Sequence, residues 1–120
     1  DIVGKPLADM LTKRDATVTL CHSKSKGKWQ YIETADIIIT AVGKAGFLNC
    51  YPIHVPVIDV GINFDENGKL VGDCFNTEHR DVTPVPGGVG LLTRVALLEN
   101  TLLAAQLRRK EDESRTDCSK

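Results

Sequence analysis

Ala35-Asp36-Ile37-Ile38-Ile39-Thr40-Ala41-Val42-Gly43-Lys44 is the stretch that decides the fold. Its centre, Ile37 to Val42, is a nearly continuous apolar run rich in β-branched residues, and Gly43 to Gly46 ends it. A strand with one wet face alternates apolar and polar residues, whereas one buried on both faces of a parallel sheet does not. The run therefore predicts an inner parallel strand. A second such run, Val57-Ile58-Asp59-Val60-Gly61-Ile62, follows the poorly patterned connection Phe47 to Pro56. Upstream, Ala16-Thr17-Val18-Thr19-Leu20 reads as a third strand, and downstream Asp81-Val82-Thr83 is a short candidate for the last one.

Helical segments lie between these runs. Gly4-Lys5-Pro6 leads into a helix through Leu7, Met10 and Leu11, with Pro6 in the first turn where a missing N–H costs nothing. A short helix is expected around Trp29 to Thr34. Asp65-Glu66-Asn67-Gly68 is a turn signal, predicting a small hairpin between Ile62–Phe64 and Lys69–Val71. From Leu91 to about Arg108, Leu91, Val95, Leu98, Leu102 and Ala105 recur every three or four residues, predicting a final helix with one buried stripe. Residues 110–120 are polar and aperiodic, so a disordered tail is expected there. Strands alternating with helices give an α/β, doubly wound, mostly parallel sheet. Ligands of such sheets bind at the carboxyl ends of the strands.

Composition narrows the function classes. The chain has 120 residues, 42% hydrophobic and 26% charged, which suits one folded domain. A formal net charge of −1 argues against a nucleic-acid binder with a large basic surface. No run of about 18 apolar residues is present, so no membrane partner is expected. Cys21, Cys50, Cys74 and Cys118 lack paired spacing, and His22, His54 and His79 are scattered. Reduced thiols, a cytoplasmic setting and no metal site are the expectations.

Four loops follow the strands, and each has two readings. Ser23, Lys24, Ser25, Lys26 and Lys28 follow the Ala16–Leu20 run, with no carboxylate between Asp15 and Glu33. This is either a solvated surface loop or, at the end of a dinucleotide fold's second strand, a seat for a ribose 2′-phosphate, favouring NADP over NAD. Gly43 and Gly61 are either turn punctuation or places where backbone must pass close to a ligand. Pro84-Val85-Pro86-Gly87-Gly88-Val89-Gly90 packs three glycines into four residues. It is either a sharp turn into the last helix or a loop lying against a ligand at a helix N-terminus. No complete Gly-x-Gly-x-x-Gly turn is present; its place in a dinucleotide fold is before the first helix.

Taken in order, Ile2-Val3-Gly4-Lys5-Pro6, Ala35-Asp36-Ile37, Ala41-Val42-Gly43-Lys44, Val57-Ile58-Asp59-Val60-Gly61-Ile62-Asn63, Val71-Gly72-Asp73 and Thr83-Pro84-Val85-Pro86-Gly87-Gly88-Val89-Gly90 form a family pattern. Together they resemble the C-terminal NADP-binding domain of the bifunctional methylenetetrahydrofolate dehydrogenase/methenyltetrahydrofolate cyclohydrolase family. The resemblance implies a Rossmann-like domain over residues 1–109, expected to lack its first strand. By the same resemblance Ser23 contacts the 2′-phosphate region, and Val42, Gly43 and Ile62 line the cofactor groove. Pro86, Gly87, Gly88, Val89, Gly90 and Thr93 border nicotinamide and folate. Such enzymes oxidise 5,10-methylenetetrahydrofolate with NADP and hydrolyse the product to 10-formyltetrahydrofolate, commonly as homodimers. Leu91-Leu92 departs from the family's usual Pro-Met. The family's catalytic Tyr and Lys belong to an N-terminal domain absent here, so no catalytic residue is assigned. The segment alone is expected to be inactive, and to be poorly stable or self-associating. The alternative is a non-catalytic nucleotide-binding or interaction module that kept the fold.

Overall fold

The computed structural model describes residues 2–48, 54–75 and 81–117, with side chains to 115. Cys50, Cys118, His79, the middle of the 47–56 connection and residues 118–120 lie outside the described residues. Two compact units divide the chain, Asp1–Val89 and Gly90–Lys120.

In the first unit, helix α1 spans Gly4–Thr12 and helix α2 Lys28–Glu33. Pro6 is the third residue of α1. The first intrahelical bond there is donated by Leu7 N to Val3 O at 3.1 Å, so proline removes no needed donor. Strand β1 is Ile38–Thr40 and β2 is Val57–Asp59; they run parallel, with Ile38, Ile39 and Thr40 opposite Val57, Ile58 and Asp59. Val82 bridges Val57 in parallel on the other side of β2. There Val57 N donates to Asp81 O at 2.8 Å and Thr83 N to Val57 O at 3.0 Å. β2 is therefore paired on both edges, as its apolar composition predicts. Strands β3 (Asn63–Phe64) and β4 (Leu70–Val71) form the expected antiparallel hairpin.

The core gathers Leu48, Val57 and Cys74, with Ile32 of α2, Ile38, Phe47, Val55 and Val82 packed against it. The unit is thus α/β with parallel strands. Both predicted strands are shorter than their apolar runs: Ile37 and Val42 are more than half exposed, at 57% and 52%. Ala16–Leu20 joins no ladder among the described residues. β-branched composition supplies a preference for extended backbone, but a strand also needs a neighbour to pair with.

Helix α3 spans Val89–Asp117 and, from Gly90 on, forms the described part of the second unit. It starts two residues before Leu91 and continues through 110–117, where composition predicted disorder. Glu111, Asp112, Glu113 and Arg115 form no apolar stripe, yet neither glycine nor proline interrupts them. The predicted stripe is not buried: Leu91, Val95, Leu98 and Leu102 are 52–71% exposed. Periodicity specifies an apolar face without supplying what covers it. Among the described residues no helix is long and apolar enough to cross a membrane.

Candidate functional site

The carboxyl ends of β1 and β2 are organised by two aspartates that the sequence reading passed over. Asp59 closes β2 and is 1% exposed; Asp73 follows β4 and is fully buried. Asp73 Oδ2 accepts from Thr40 Oγ1 at 2.9 Å, Val42 N at 2.7 Å and Gly43 N at 3.3 Å. Its Oδ1 accepts from Lys44 N and from Asn63 Nδ2, both at 2.9 Å. One carboxylate thus ties the turn after β1 to the residue following Ile62.

Asp59 extends the same arrangement. Its Oδ1 accepts from Gly61 N at 2.8 Å and Asp73 N at 3.1 Å, and its Oδ2 from Cys74 N at 2.8 Å. Asp59 N donates to Thr83 Oγ1 at 2.8 Å, which fixes the entry to the Pro84–Gly88 loop. Segments following β1 and β2 therefore converge on one linked carboxylate pair, and the segment after the Val82 bridge is held at the Asp59 backbone.

Glycine is obligatory beside each carboxylate. A Cβ on Gly61 would stand 2.7 Å from Asp73 N, and one on Gly72 would stand 2.6 Å from Asp59 Cγ. Burial raises the Asp73 pKa, but hydrogen bonds from Asn63, Val42 N, Thr40 and Lys44 N together outweigh it. Its carboxyl is held below the usual aspartate range.

Val42, Gly43 and Ile62, expected from the resemblance to line a groove, flank this frame. Val42 is 52% and Ile62 73% exposed, and Gly43 is exposed, so all three offer surface beside the buried pair. Gly43 has φ +72° and nothing within 4 Å of where a Cβ would sit, so open space lies over it. Gly87, at φ +101°, is likewise open. Pro86 and Gly87 are exposed, while Gly88 and Val89 are half-buried. Gly90 and Thr93 lie in the opening turns of α3, in the other unit. Ser23 is exposed in a turn whose bonds are local: Ser25 N donates to His22 O at 3.0 Å, and Lys28 Nζ to Ser23 O at 3.0 Å. Asp73 joins Val42 and Gly43 to Asn63, the residue after Ile62; no described hydrogen bond ties Ser23 to them.

Sequence reasoning missed Asp59 and Asp73 because each looks like a polar interruption of an apolar segment. A signal was present: each has a glycine within two residues, as Asp59-Val60-Gly61 and Gly72-Asp73. Buried carboxylates that accept backbone N–H bonds need that close approach.

An α/β unit with parallel strands and exposed glycine turns at their carboxyl ends is the architecture of a nucleotide-type binding domain. The chain matches the family described as tetrahydrofolate dehydrogenase/cyclohydrolase, NAD(P)-binding domain, over residues 1–109, and it belongs to that family. It is 48% identical over 112 residues to the bifunctional protein FolD of Methanoculleus marisnigri, covering 88% of this chain and 40% of that protein. With FolD of Staphylococcus carnosus it shares 46% over 114 residues, 90% of this chain and 40% of the relative. The chain therefore spans well under half the length of these relatives. Among solved structures, the bifunctional 5,10-methylenetetrahydrofolate dehydrogenase/cyclohydrolase of Thermoplasma acidophilum superposes with TM-score 0.80 at 42% identity. That match covers 90% of this chain and 41% of the other. The Trypanosoma brucei N5,N10-methylenetetrahydrofolate dehydrogenase-cyclohydrolase, complexed with NADP cofactor and inhibitor, matches with TM-score 0.68 at 36% identity, covering 82% and 38%.

Proposed function

We propose that the chain is the NADP-binding portion of an enzyme that oxidises 5,10-methylenetetrahydrofolate to 5,10-methenyltetrahydrofolate and hydrolyses that to 10-formyltetrahydrofolate. The observation that carries this is that Asp73 holds Val42, Gly43 and Asn63, the residue after Ile62, within a chain of the dehydrogenase/cyclohydrolase family. On this reading the domain is Rossmann-like, and NADP, when bound, supplies the acceptor for a hydride. Val42, Gly43 and Ile62 line the cofactor's groove, and the open space over Gly43 and Gly87 suits a ligand pressed against backbone. Ser23 and the lysines after it hold the 2′-phosphate. Pro86, Gly87, Gly88, Val89, Gly90 and Thr93 border nicotinamide and folate. The residues that move protons lie on a catalytic domain outside these residues, in a cytoplasmic homodimer.

Calorimetric titration of the chain with NADP+ and NAD+ tests the reading. Saturable binding near one site per chain, tighter for NADP+, is expected; no binding of either at millimolar concentration would refute it. Spectrophotometric assay for NADPH formation from 5,10-methylenetetrahydrofolate tests the division of labour. The chain alone should give no turnover, because hydride transfer requires donor and acceptor to be held near contact by both halves of the cleft.

A further inference from the structure

The turn at Val42-Gly43-Lys44 has the form of an anion nest. Three successive backbone N–H groups point to one side, with Gly43 in the left-handed region as the pivot. Such nests bind phosphate in many nucleotide sites. Here all three donors are taken by Asp73, whose carboxylate also receives Thr40 Oγ1 and Asn63 Nδ2. A carboxylate offers about four lone-pair sites, so five donors leave it saturated and leave none of the three amides for an outside anion.

We infer that Asp73 is the positioning residue of this groove: its carboxylate fills the nest, so Val42–Lys44 meets a dinucleotide through the Val42 side chain and the Gly43 backbone carbon, as a platform for a ring or ribose and not as a phosphate subsite. The inference rests on the proposed reading of these loops as a dinucleotide groove. Through Asn63, the same carboxylate also fixes the residue that follows Ile62. Asp73 itself is buried and touches no ligand.

The experiment compares the full chain with Asp73→Asn, Asp73→Ala and the milder Asn63→Leu, which removes one donor and keeps the carboxylate. Hydrogen exchange should quicken selectively at 42–44 and 61–63 in both Asp73 variants, and at 61–63 in Asn63→Leu. Titration should show Kd rising by about tenfold or more for Asp73→Asn, by the same factor for NADP+ and NAD+, with stoichiometry unchanged. Added formate, a carboxylate small enough for the emptied nest, should recover part of that affinity in Asp73→Ala. Faster exchange with unchanged Kd, or reduced stoichiometry at unchanged Kd, would show a structural role alone and overturn the inference. So would unchanged exchange at both loops in all three variants, or a loss confined to NADP+. If the unaltered chain bound neither dinucleotide, the functional reading would fail. Exchange and formate protection of 42–44 would still decide whether Asp73 holds the nest.

Discussion

Replacing Gly61 by alanine adds one methyl group at the most crowded point of the carboxylate pair. The new Cβ would stand 2.5 Å from Asp73 Cγ and 2.7 Å from Asp73 N. The clash with Cγ can be relieved by rotating the Asp73 side chain, but the clash with N cannot, because that atom belongs to the backbone. Rotation also pulls the carboxylate off the Val42, Lys44 and Asn63 donors. Overpacking of this kind costs about 1–3 kcal/mol. Leaving a buried charged group partly unsatisfied costs about 1–3 kcal/mol more. A total of roughly 2–6 kcal/mol is a large share of the 5–15 kcal/mol typical of a domain. For a chain of this length the melting temperature, followed by circular dichroism, should fall by about 10 °C or more. Gly43→Ala is the internal comparison: its Cβ meets nothing within 4 Å, and only the φ of +72° opposes it. That strain costs about 1–2 kcal/mol. A Gly61→Ala melting temperature within about 2 °C of the unaltered chain, or a smaller loss than for Gly43→Ala, would refute the close-approach argument.

Other outcomes follow from the same geometry. The Asp73 carboxyl is held below the usual aspartate range, so its contribution to stability is complete at neutral pH. That contribution is lost only as pH falls through the lowered folded value. Urea midpoints should therefore drop steeply below about pH 4, and Asp73→Asn should show a shallower drop there from a lower starting point. Thr83→Val removes the acceptor of Asp59 N and should cost about 1–3 kcal/mol by chemical denaturation. Ser23→Glu should reduce the NADP+ over NAD+ preference by about tenfold or more in calorimetric titration, through repulsion of the 2′-phosphate, with little change in melting temperature.

Where local chemistry dictates conformation, the sequence was legible. Asp65-Glu66-Asn67-Gly68 announces a turn, and Asp65 Oδ1 accepts from Asn67 N at 2.9 Å and Lys69 N at 2.8 Å to close it. Val57 and Ile38 belong to mostly apolar runs that predict inner strands, and they pair. Ala16–Leu20 shows the limit: propensity marks a segment for extension without naming its neighbour. The apolar residues of α3 show another, since Leu98 at 71% exposure obeys the period and lacks the cover. Val42 and Ile62 were singled out through family likeness alone, and Gly43 also by its place after an apolar run. Asp73, which accepts from Val42 N, lies 31 residues from it, and no local pattern carries that pairing.

On the proposed reading, a fixed negative charge lies beneath a groove for a phosphorylated ligand. Five donor dipoles turn their positive ends toward Asp73 and weaken its field at the groove without cancelling its charge. The saturated nest also withholds its amides from phosphate, which would otherwise be drawn to Val42–Lys44. On the proposed reading, attraction for phosphate then falls to the cationic Ser23–Lys28 loop, which contains three lysines and no carboxylate. Selectivity between cofactors and geometry of the groove are thereby governed by separate residues. A change at Ser23 should alter which dinucleotide binds, and a change at Asp73 should alter how well either one does.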